Sequence, residues 1–302
     1  MKLEIRNLTK QYGKKVAVNR LNLSLTKGVY GLLGANGAGK TTLMRLICGI
    51  QAPTSGKITL NGREMEVLGE NYRKYLGYLP QQFPYYPDFS AMDYLLYIAA
   101  LKDLDEKKAK EKSKELLETV GLTKNGRQKI RTFSGGMKQR LGIAQAMLND
   151  PYILLLDEPT AGLDPKERVR FRNLISAFSK ERIVILSTHI VSDIEYIADQ
   201  ILIMKDGELI CSGTEQGITA SVKGYVWKCN VSTDVAQKLC NQYMVSNLRN
   251  GSEENQAELR IISEKCPFPA AELAEETLED AYLYQTQDIN RIRSRRDENA
   301  VV

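Results

Sequence analysis

The sequence is poor in the residues that build metal and redox centres. It has one histidine, one tryptophan and five cysteines among 302 residues. The cysteines stand singly, with no Cys-x-x-Cys pair and no histidine near them. This scatter argues against a zinc site and against a disulfide framework, so we expect reduced, buried thiols at Cys48, Cys211, Cys229, Cys240 and Cys266.

Long apolar runs and a strong excess of charge are also missing. The longest uncharged apolar stretches, such as residues 94–101, fall well short of the roughly 18 residues that a membrane-spanning helix needs. Residues 1–5 show no apolar segment of a secretory signal, which predicts a chain that stays in the cytosol. The net charge of +5 permits a contact with nucleic acid or anionic lipid but does not require one.

A glycine-rich segment stands between a predicted strand, residues 29–33, and a predicted helix, residues 43–48. Residues 34–41 fit Gly-x-x-x-x-Gly-Lys-Thr, a phosphate loop whose backbone N–H groups surround the phosphates of a nucleotide. Lys40 is expected to supply positive charge to the phosphate oxygens and Thr41 a hydroxyl to Mg²⁺. The other candidate nucleotide contacts in this segment are Gly34, Asn36, Gly37, Gly39 and Thr42.

A second apolar run ends in two acids. Residues 153–156 read Ile-Leu-Leu-Leu, as in a strand covered on both faces of a parallel sheet. Asp157 is predicted to hold Mg²⁺, and Glu158 to polarise the attacking water as a general base. A buried strand with two capping acids, stopped by Pro159, is the alternative; the phosphate loop in the same chain favours the nucleotide site.

Residues 134–140, Ser-Gly-Gly-Met-Lys-Gln-Arg, form a short turn that opens a helix. The first turn of a helix offers free N–H groups and the positive end of the helix dipole to an anion. A nucleotide on this chain's own phosphate loop is already enclosed by that loop. Ser134, Gly135 and Gly136 are therefore expected to close over a nucleotide held by another copy or a partner subunit, which predicts an ATP-driven clamp.

These segments, in this order, resemble the ATP-binding-cassette (ABC) ATPases, the nucleotide-binding subunits of transporters, over roughly residues 1–215. The resemblance implies an α/β phosphate-loop NTPase core with a helical signature subdomain at about residues 83–150. It implies that Tyr12 stacks on adenine and that Gln81 contacts Mg²⁺ and water. It also implies that the loop of Asp164 crosses a dimer interface and that His189 contacts the γ-phosphate.

Three features bear on these assignments. A lone histidine is more often an ordinary surface group, but His189 follows the apolar run 183–186, at the strand end where open α/β sheets bind ligands. Phe133 and Met137 flank the Ser-Gly-Gly where the family more often has Leu and Gln. Gln81 and Gln82 are adjacent, and the spacing after residues 78–80 favours Gln81.

The resemblance implies an ATPase subunit that powers an exporter. Two cassettes, expected to be identical, would enclose ATP and Mg²⁺, with the metal near Thr41, Gln81 and Asp157. Closure would pull on a separate transmembrane permease at the cytoplasmic face of the membrane, and no nucleic-acid partner is expected. The alternatives are a soluble ABC ATPase acting on ribosomes or nucleic acids and a binding module without turnover. The single phosphate loop and the lack of sustained heptads disfavour the soluble ABC ATPase. Glu158 and His189 disfavour the binding module without turnover.

The helical region carries an aromatic loop, residues 83–89, then a predicted helix, residues 91–101, and a run of alternating charge, residues 102–118. The charged run is typical of a solvated helix with i,i+4 pairs. The aromatic loop either packs at a domain junction or, as the resemblance implies, receives a short helix of the membrane subunit. We favour docking, with Phe83, Tyr85, Tyr86 and Phe89 as the apolar surface.

Residues 216–290 predict a small α+β accessory domain of order β-α-β-β-α. Its predicted parts are a strand at 225–231, a helix at 233–243, hairpin strands at 245–248 and 259–262, and an amphipathic helix at 270–284. Residues 277–283 are similar to the closing helix of the antibiotic- and drug-exporter branch of ABC ATPases. Residues 291–302 are a basic tail, expected to be disordered or to contact anionic lipid.

Overall fold

The computed structural model describes residues 1–251 and 255–287, and the predicted basic tail lies outside them. The chain forms two compact units, Met1–Ile210 and a second that begins at Cys211. The predicted boundary after residue 215 therefore falls a few residues inside the second unit. Within the described ranges, every helix is too short or too polar to cross a bilayer.

Residues 1–213 contain strands in two sheets. In chain order the strands are β1 Leu3–Tyr12, β2 Lys15–Leu25, β3 Gly28–Leu33, β4 Ser55–Leu60, β5 Arg63–Glu64, β6 Leu76–Leu79, β7 Ile153–Asp157, β8 Ile183–Thr188, β9 Gln200–Lys205 and β10 Glu208–Gly213. The first sheet has the order β2-β1-β4-β5 and is antiparallel, with Leu3 facing both Leu25 and Leu60. The second sheet has the order β10-β9-β3-β8-β7-β6.

The second sheet is parallel through β9, β3, β8, β7 and β6. Every residue of β7 and β8 is buried, so the prediction that residues 153–156 form a strand covered on both faces is confirmed. Parallel pairing also places Asp157 of β7 opposite Ser187 of β8. The carboxyl ends of β3, β7 and β8 therefore meet at one edge of the sheet. The phosphate loop follows β3, the two acids lie at the end of β7, and His189 follows β8.

Helices of the first unit connect these strands: α1 Lys40–Ile47, α2 Met65–Leu68, α3 Glu70–Arg73, α4 Ala91–Leu101, α5 Glu106–Thr119, α6 Gly135–Ala146, α7 Pro165–Ser179 and α8 Val191–Ile194. Helix α4 has the predicted bounds and begins with a capping box between Ser90 and Asp93. The charged run forms α5, as predicted. Within this helix Lys112 and Glu115, at i,i+3, form an ion pair with a distance of 2.9 Å.

The second unit comprises α9 Glu215–Thr219, β11 Val226–Ser232, α10 Thr233–Gln242, β12 Met244–Asn250, β13 Gln256–Ile262, β14 Glu272–Leu273 and α11 Leu278–Thr286. Its antiparallel sheet has the order β12-β13-β11-β14, so the predicted strand, helix and hairpin are confirmed. Apolar residues of β11 and β13, such as Cys229, Leu259 and Ile261, form its core with α10.

The prediction of an amphipathic helix over residues 270–284 is wrong for its first half, because the helix begins only at Leu278. Leu273 pairs with Trp227 at the edge of the sheet, and this ladder takes the backbone groups that a helix would need. The helix starts only after Thr277, whose hydroxyl accepts from the N–H of Asp280 in a capping box. The five thiols are free, as predicted, but only Cys48 and Cys229 are buried. The expectation of burial is wrong for Cys266, which is exposed, and for Cys211 and Cys240, which are half-buried.

Candidate nucleotide site

A cavity of about 400 Å³ lies at the carboxyl edge of the parallel sheet. Predicted site residues that line it are Tyr12, Asn36, Gly37, Gly39, Lys40, Thr41, Thr42, Gln81 and Glu158. Of the two adjacent glutamines it is Gln81 that lines the cavity. Sequence reasoning missed Lys15, Ala17 and Ala35 in its wall. Lys15 and Ala17 belong to strand β2 and to no recognisable motif, and Ala35 occupies a variable position of the phosphate loop.

The phosphate loop folds tightly against strand β2. Gly39 has a φ of +105°, and a Cβ there would lie 2.3 Å from the carbonyl oxygen of Ala17. Only glycine fits such a position, because it tolerates positive φ and lacks the atom that would collide. Gly39 is the residue before helix α1, so its conformation turns the chain from the loop into a helix that begins at Lys40.

Lys40 is buried in the cavity wall, with 5% of its surface exposed. Its Nζ donates to the carbonyl oxygens of Gly34 at 2.6 Å and Ala35 at 3.3 Å, and lies 3.2 Å from Oε1 of Glu158. The other oxygen of Glu158, Oε2, lies 2.8 Å from Nδ1 of His189. A buried carboxylate needs such partners, so Lys40 and His189 together fix the position of the Glu158 side chain beside the cavity.

Asp157 is fully buried next to the phosphate loop. Its Oδ1 accepts from the hydroxyl of Thr41 at 3.2 Å and from that of Ser187 at 2.6 Å. Its Oδ2 has no hydrogen-bond partner among the described residues, although it is buried. An orphaned carboxylate oxygen beside a threonine hydroxyl fits a hard cation such as Mg²⁺, which takes oxygen ligands and phosphates.

Ser187 is a functional candidate that sequence reasoning missed. Besides bonding Asp157, its hydroxyl accepts from the N–H of Glu158 at 3.0 Å, and its carbonyl oxygen lies 3.1 Å from the same nitrogen. Glu158 has a φ of +49°, a left-handed conformation that costs a non-glycine residue about 1 kcal/mol or more. Ser187 thus holds both acids in place. The sequence feature that could have indicated Ser187 is a polar residue near the end of β8, the strand that pairs with β7.

Tyr12 lies at the mouth of the cavity with 44% of its surface exposed. Its hydroxyl bonds the side chain of Gln51, and the ammonium of Lys10 lies 5.2 Å from its ring centroid. These two contacts fix the ring while leaving it accessible. A fixed, half-exposed aromatic ring suits stacking on a flat heterocycle.

The predicted site residues that do not line this cavity are Gly34, Ser134, Gly135, Gly136, Asp157, Asp164 and His189. Ser134 caps α6 by accepting from the N–H of Met137 at 3.2 Å, and Asp164 caps α7 by accepting from the N–H of Glu167 at 2.9 Å. Ser134, Gly135 and Asp164 are exposed. They therefore remain accessible for a contact that the chain's own cavity does not use.

Glu167 joins these two helix starts. Its Oε2 lies 3.2 Å from Nε of Arg140, and a Cβ on Gly136 would lie 2.7 Å from the same oxygen. Arg140 in turn donates to the carbonyl oxygens of Val120 at 2.8 Å and Gly121 at 3.2 Å. The start of α6 is thus held to the start of α7 by the partly buried ion pair of Arg140 and Glu167.

A glycine loop leads from a parallel strand into a helix, with a lysine in the cavity wall and an orphaned aspartate oxygen next to the threonine that follows that lysine. This arrangement defines a phosphate-loop NTPase. Residues 18–161 match the family described as ABC transporter. The chain is 36% identical over 224 residues to the linearmycin resistance ATP-binding protein LnrL of Bacillus subtilis (strain 168), covering 74% of this chain and 72% of LnrL. It therefore belongs to the ABC transporter ATP-binding proteins and is an ATPase.

Two further comparisons agree with this assignment. The lantibiotic transport ATP-binding protein SrtF of Streptococcus pyogenes is 40% identical over 210 residues, covering 69% of this chain and 89% of SrtF. A solved dimeric bacterial ABC transporter cassette superposes with a TM-score of 0.64 at 25% identity, covering 70% of this chain and 98% of that one. The predicted family and α/β phosphate-loop NTPase fold are confirmed.

Proposed function

We propose that this chain is the ATP-hydrolysing subunit of an exporter, acting as a cassette dimer on a separate transmembrane permease at the cytoplasmic face of the membrane. One observation carries the proposal. Ser134, Gly135 and Asp164, which the resemblance assigns to ATP binding, lie at two helix starts and outside the cavity that Lys40, Thr41 and Glu158 line. All three are exposed, as contact with a partner's nucleotide would require. The direction of export is favoured by the names of two relatives, since LnrL is named for linearmycin resistance and SrtF for lantibiotic transport.

The cavity residues have distinct roles in the proposed reaction. Mg²⁺, when bound, supplies positive charge to the β- and γ-phosphates, and Thr41, Gln81 and Asp157 would hold it. Lys40 leaves its ion pair with Glu158 for the phosphate oxygens. The freed Glu158 carboxylate then accepts a proton from the attacking water, and His189 keeps that carboxylate oriented. ATP therefore stabilises the closed dimer, and hydrolysis releases it.

The aromatic loop supports the proposed contact with the permease. Phe83 is half-buried and packs edge-on against Tyr94 of α4, with ring centroids 5.5 Å apart. Tyr86 stays 49% exposed and forms a cluster with Phe89 and Tyr97, at centroid distances of 4.9 Å and 5.3 Å. An anchored loop that presents rigid, exposed aromatic rings is suited to receive an apolar helix. We propose this cluster, Tyr86, Phe89 and Tyr97, as the docking surface.

Affinity capture tests the partner. Tagged Glu158→Gln protein is incubated with detergent-solubilised native membranes and Mg-ATP, and the recovered proteins are identified by mass spectrometry. A multispanning membrane protein in near-equal amount is expected, and its recovery should fall with Tyr86→Ser, a change on the proposed docking surface. Recovery of ribosomal or nucleic-acid-processing proteins without a membrane protein would overturn the proposal in favour of the soluble ABC ATPase.

A further inference from the structure

A buried carboxylate behind the nucleotide site has no role in the chemistry above. Asp193, on the short helix α8, has 1% of its surface exposed. Its Oδ2 accepts from the hydroxyl of Thr160 at 2.5 Å and from that of Thr188 at 3.4 Å. Its Oδ1 lies 3.6 Å from Nη1 of Arg168. Burying a carboxylate is costly, and each of these contacts offsets part of that cost.

These partners belong to two different segments of the site. Thr160 stands between Glu158 and the loop of Asp164, and Arg168 also donates from Nε to the carbonyl oxygen of Leu163 at 3.2 Å, so it binds that loop directly. On the other side, the hydroxyl of Thr188 accepts from the N–H of Ile190 at 3.0 Å. Thr188 and Ile190 flank His189. A single carboxylate therefore ties the Asp164 loop to the histidine segment.

We propose that Asp193 is a positioning residue for ATP hydrolysis, which fixes the loop 160–164 relative to His189. A displacement of the Asp164 loop is then transmitted through Arg168 and Asp193 to the pair formed by His189 and Glu158. The link is made of directed hydrogen bonds and an ion pair in a buried setting, where such contacts hold one geometry better than apolar packing does. The role of the Asp164 loop in sensing a second chain rests on the proposed dimer.

Asp193 is expected to act on turnover rather than on binding. Its bonding partners, Thr160, Thr188 and Arg168, are all outside the cavity wall. Removing the link should therefore leave the phosphate loop able to bind ATP while the Glu158–His189 pair loses its fixed orientation. A residue that merely stabilised the fold would instead lower thermal stability and ATP affinity together.

The experiment is a double-mutant cycle with Asp193→Asn and Arg168→Gln. Asn keeps an oxygen acceptor for Thr160 but removes the charge that pairs with Arg168. We expect kcat to fall about tenfold in each variant, the Kd for ATP to change less than about twofold, and the double variant to lose little more than either single one. Asp199→Asn is the matched control: Asp199 bonds the N–H of Val29 at 2.7 Å, away from the cavity, and parental kcat is expected.

Parental kcat in Asp193→Asn, additive losses in the double variant, or a parallel loss of ATP affinity and melting temperature would each overturn the inference. Should Asp193→Asn fail to fold, Thr160→Val removes one donor of the link at nearly constant volume and must also lower kcat with the Kd unchanged. The dimer is measured separately, on Glu158→Gln protein. Failure of that variant to dimerise would overturn the proposed function, while non-additive losses of kcat would still support Asp193 as a positioning residue.

Discussion

Nδ1 of His189 lies 2.8 Å from Oε2 of Glu158, while Oε1 of the same carboxylate lies 3.2 Å from the ammonium of Lys40. The carboxylate is thus shared between Lys40, which we propose binds phosphate, and His189, which we propose orients the carboxylate for catalysis. Because the ion pair uses the same ammonium that the phosphate needs, nucleotide binding and release of the general base are one event in this account.

Replacing Glu158 by Gln should abolish turnover and spare binding. The amide keeps the size of the side chain but cannot accept the proton of the attacking water, and general-base catalysis contributes about 100-fold or more. Phosphate release should fall by at least that factor, while a fluorescent ATP analogue still binds. Hydrolysis at the parental rate would remove Glu158 from the general-base role.

Ser187→Ala should lower kcat about tenfold and destabilise the protein by about 1–3 kcal/mol, because both acids lose a buried partner. Without the hydroxyl, Asp157 loses its 2.6 Å bond and the strained backbone of Glu158 loses one of its two restraints. Steady-state kinetics and urea denaturation check the two effects. Thr59→Val is the matched control, since the buried hydroxyl of Thr59 has no partner among the described residues and its loss should be neutral or stabilising. A stable Ser187→Ala protein with parental kcat would contradict the assignment.

Gly136→Ala should destabilise the protein by about 1–3 kcal/mol through overpacking. The added Cβ would lie 2.7 Å from Oε2 of Glu167 and push that carboxylate away from Arg140. Gly135→Ala is the stability control, because a Cβ there meets nothing within 4 Å. Urea denaturation should separate the two variants, and equal midpoints would show that the Glu167–Arg140 pair does not hold this turn.

The second unit should lose stability in acid through Asp280. Burial by itself raises the pKa of this carboxyl, but hydrogen bonds from Arg260, Thr277 and Ser246 outweigh burial and leave its pKa below the ordinary value of 3.8. The unfolded chain therefore takes up a proton at higher pH than the folded chain does. The stability that Asp280 contributes is fully present above pH 3.8 and is lost as the pH falls through the folded pKa.

Trp227 reports this effect, since it is the only tryptophan and lies on β11 of the second unit. Denaturation followed by its fluorescence should show a midpoint that falls as the pH drops below 3.8. Asp280→Asn should be less stable at neutral pH and lose most of that dependence. An unchanged acid dependence in the variant would show that other carboxyls account for it.

The parts of the site that were predictable from sequence are those fixed by local spacing. The phosphate loop and the acids after β7 depend on a strand end followed by particular side chains, and chain order alone indicates both. Ser187 and Asp193 could not be assigned in this way. Ser187 acts because β8 pairs in register with β7, and Asp193 because α8 returns under the loop 160–164.

The errors in the second unit have a similar cause. Residues 270–284 carry helical spacing throughout, but the pairing of Leu273 with Trp227 and the capping box at Thr277 decide where the helix starts. Edge pairing is a tertiary choice that competes with local periodicity. Cys266 is exposed for a comparable reason: it follows β13 in a loop, and residue type alone does not determine burial.

The proposed cassette dimer is tested most directly by the molar mass of Glu158→Gln protein, measured by light scattering after size exclusion with and without Mg-ATP. We expect an ATP-dependent dimer that Ser134→Asp prevents, because Asp still caps α6 but repels the partner's phosphate. Ser134→Asn, an uncharged cap, should dimerise more readily than Ser134→Asp, and both should bind ATP as monomers with the affinity of the Glu158→Gln protein. Equal dimerisation of Ser134→Asp, or loss of its monomeric ATP binding, would contradict a site completed by a second chain.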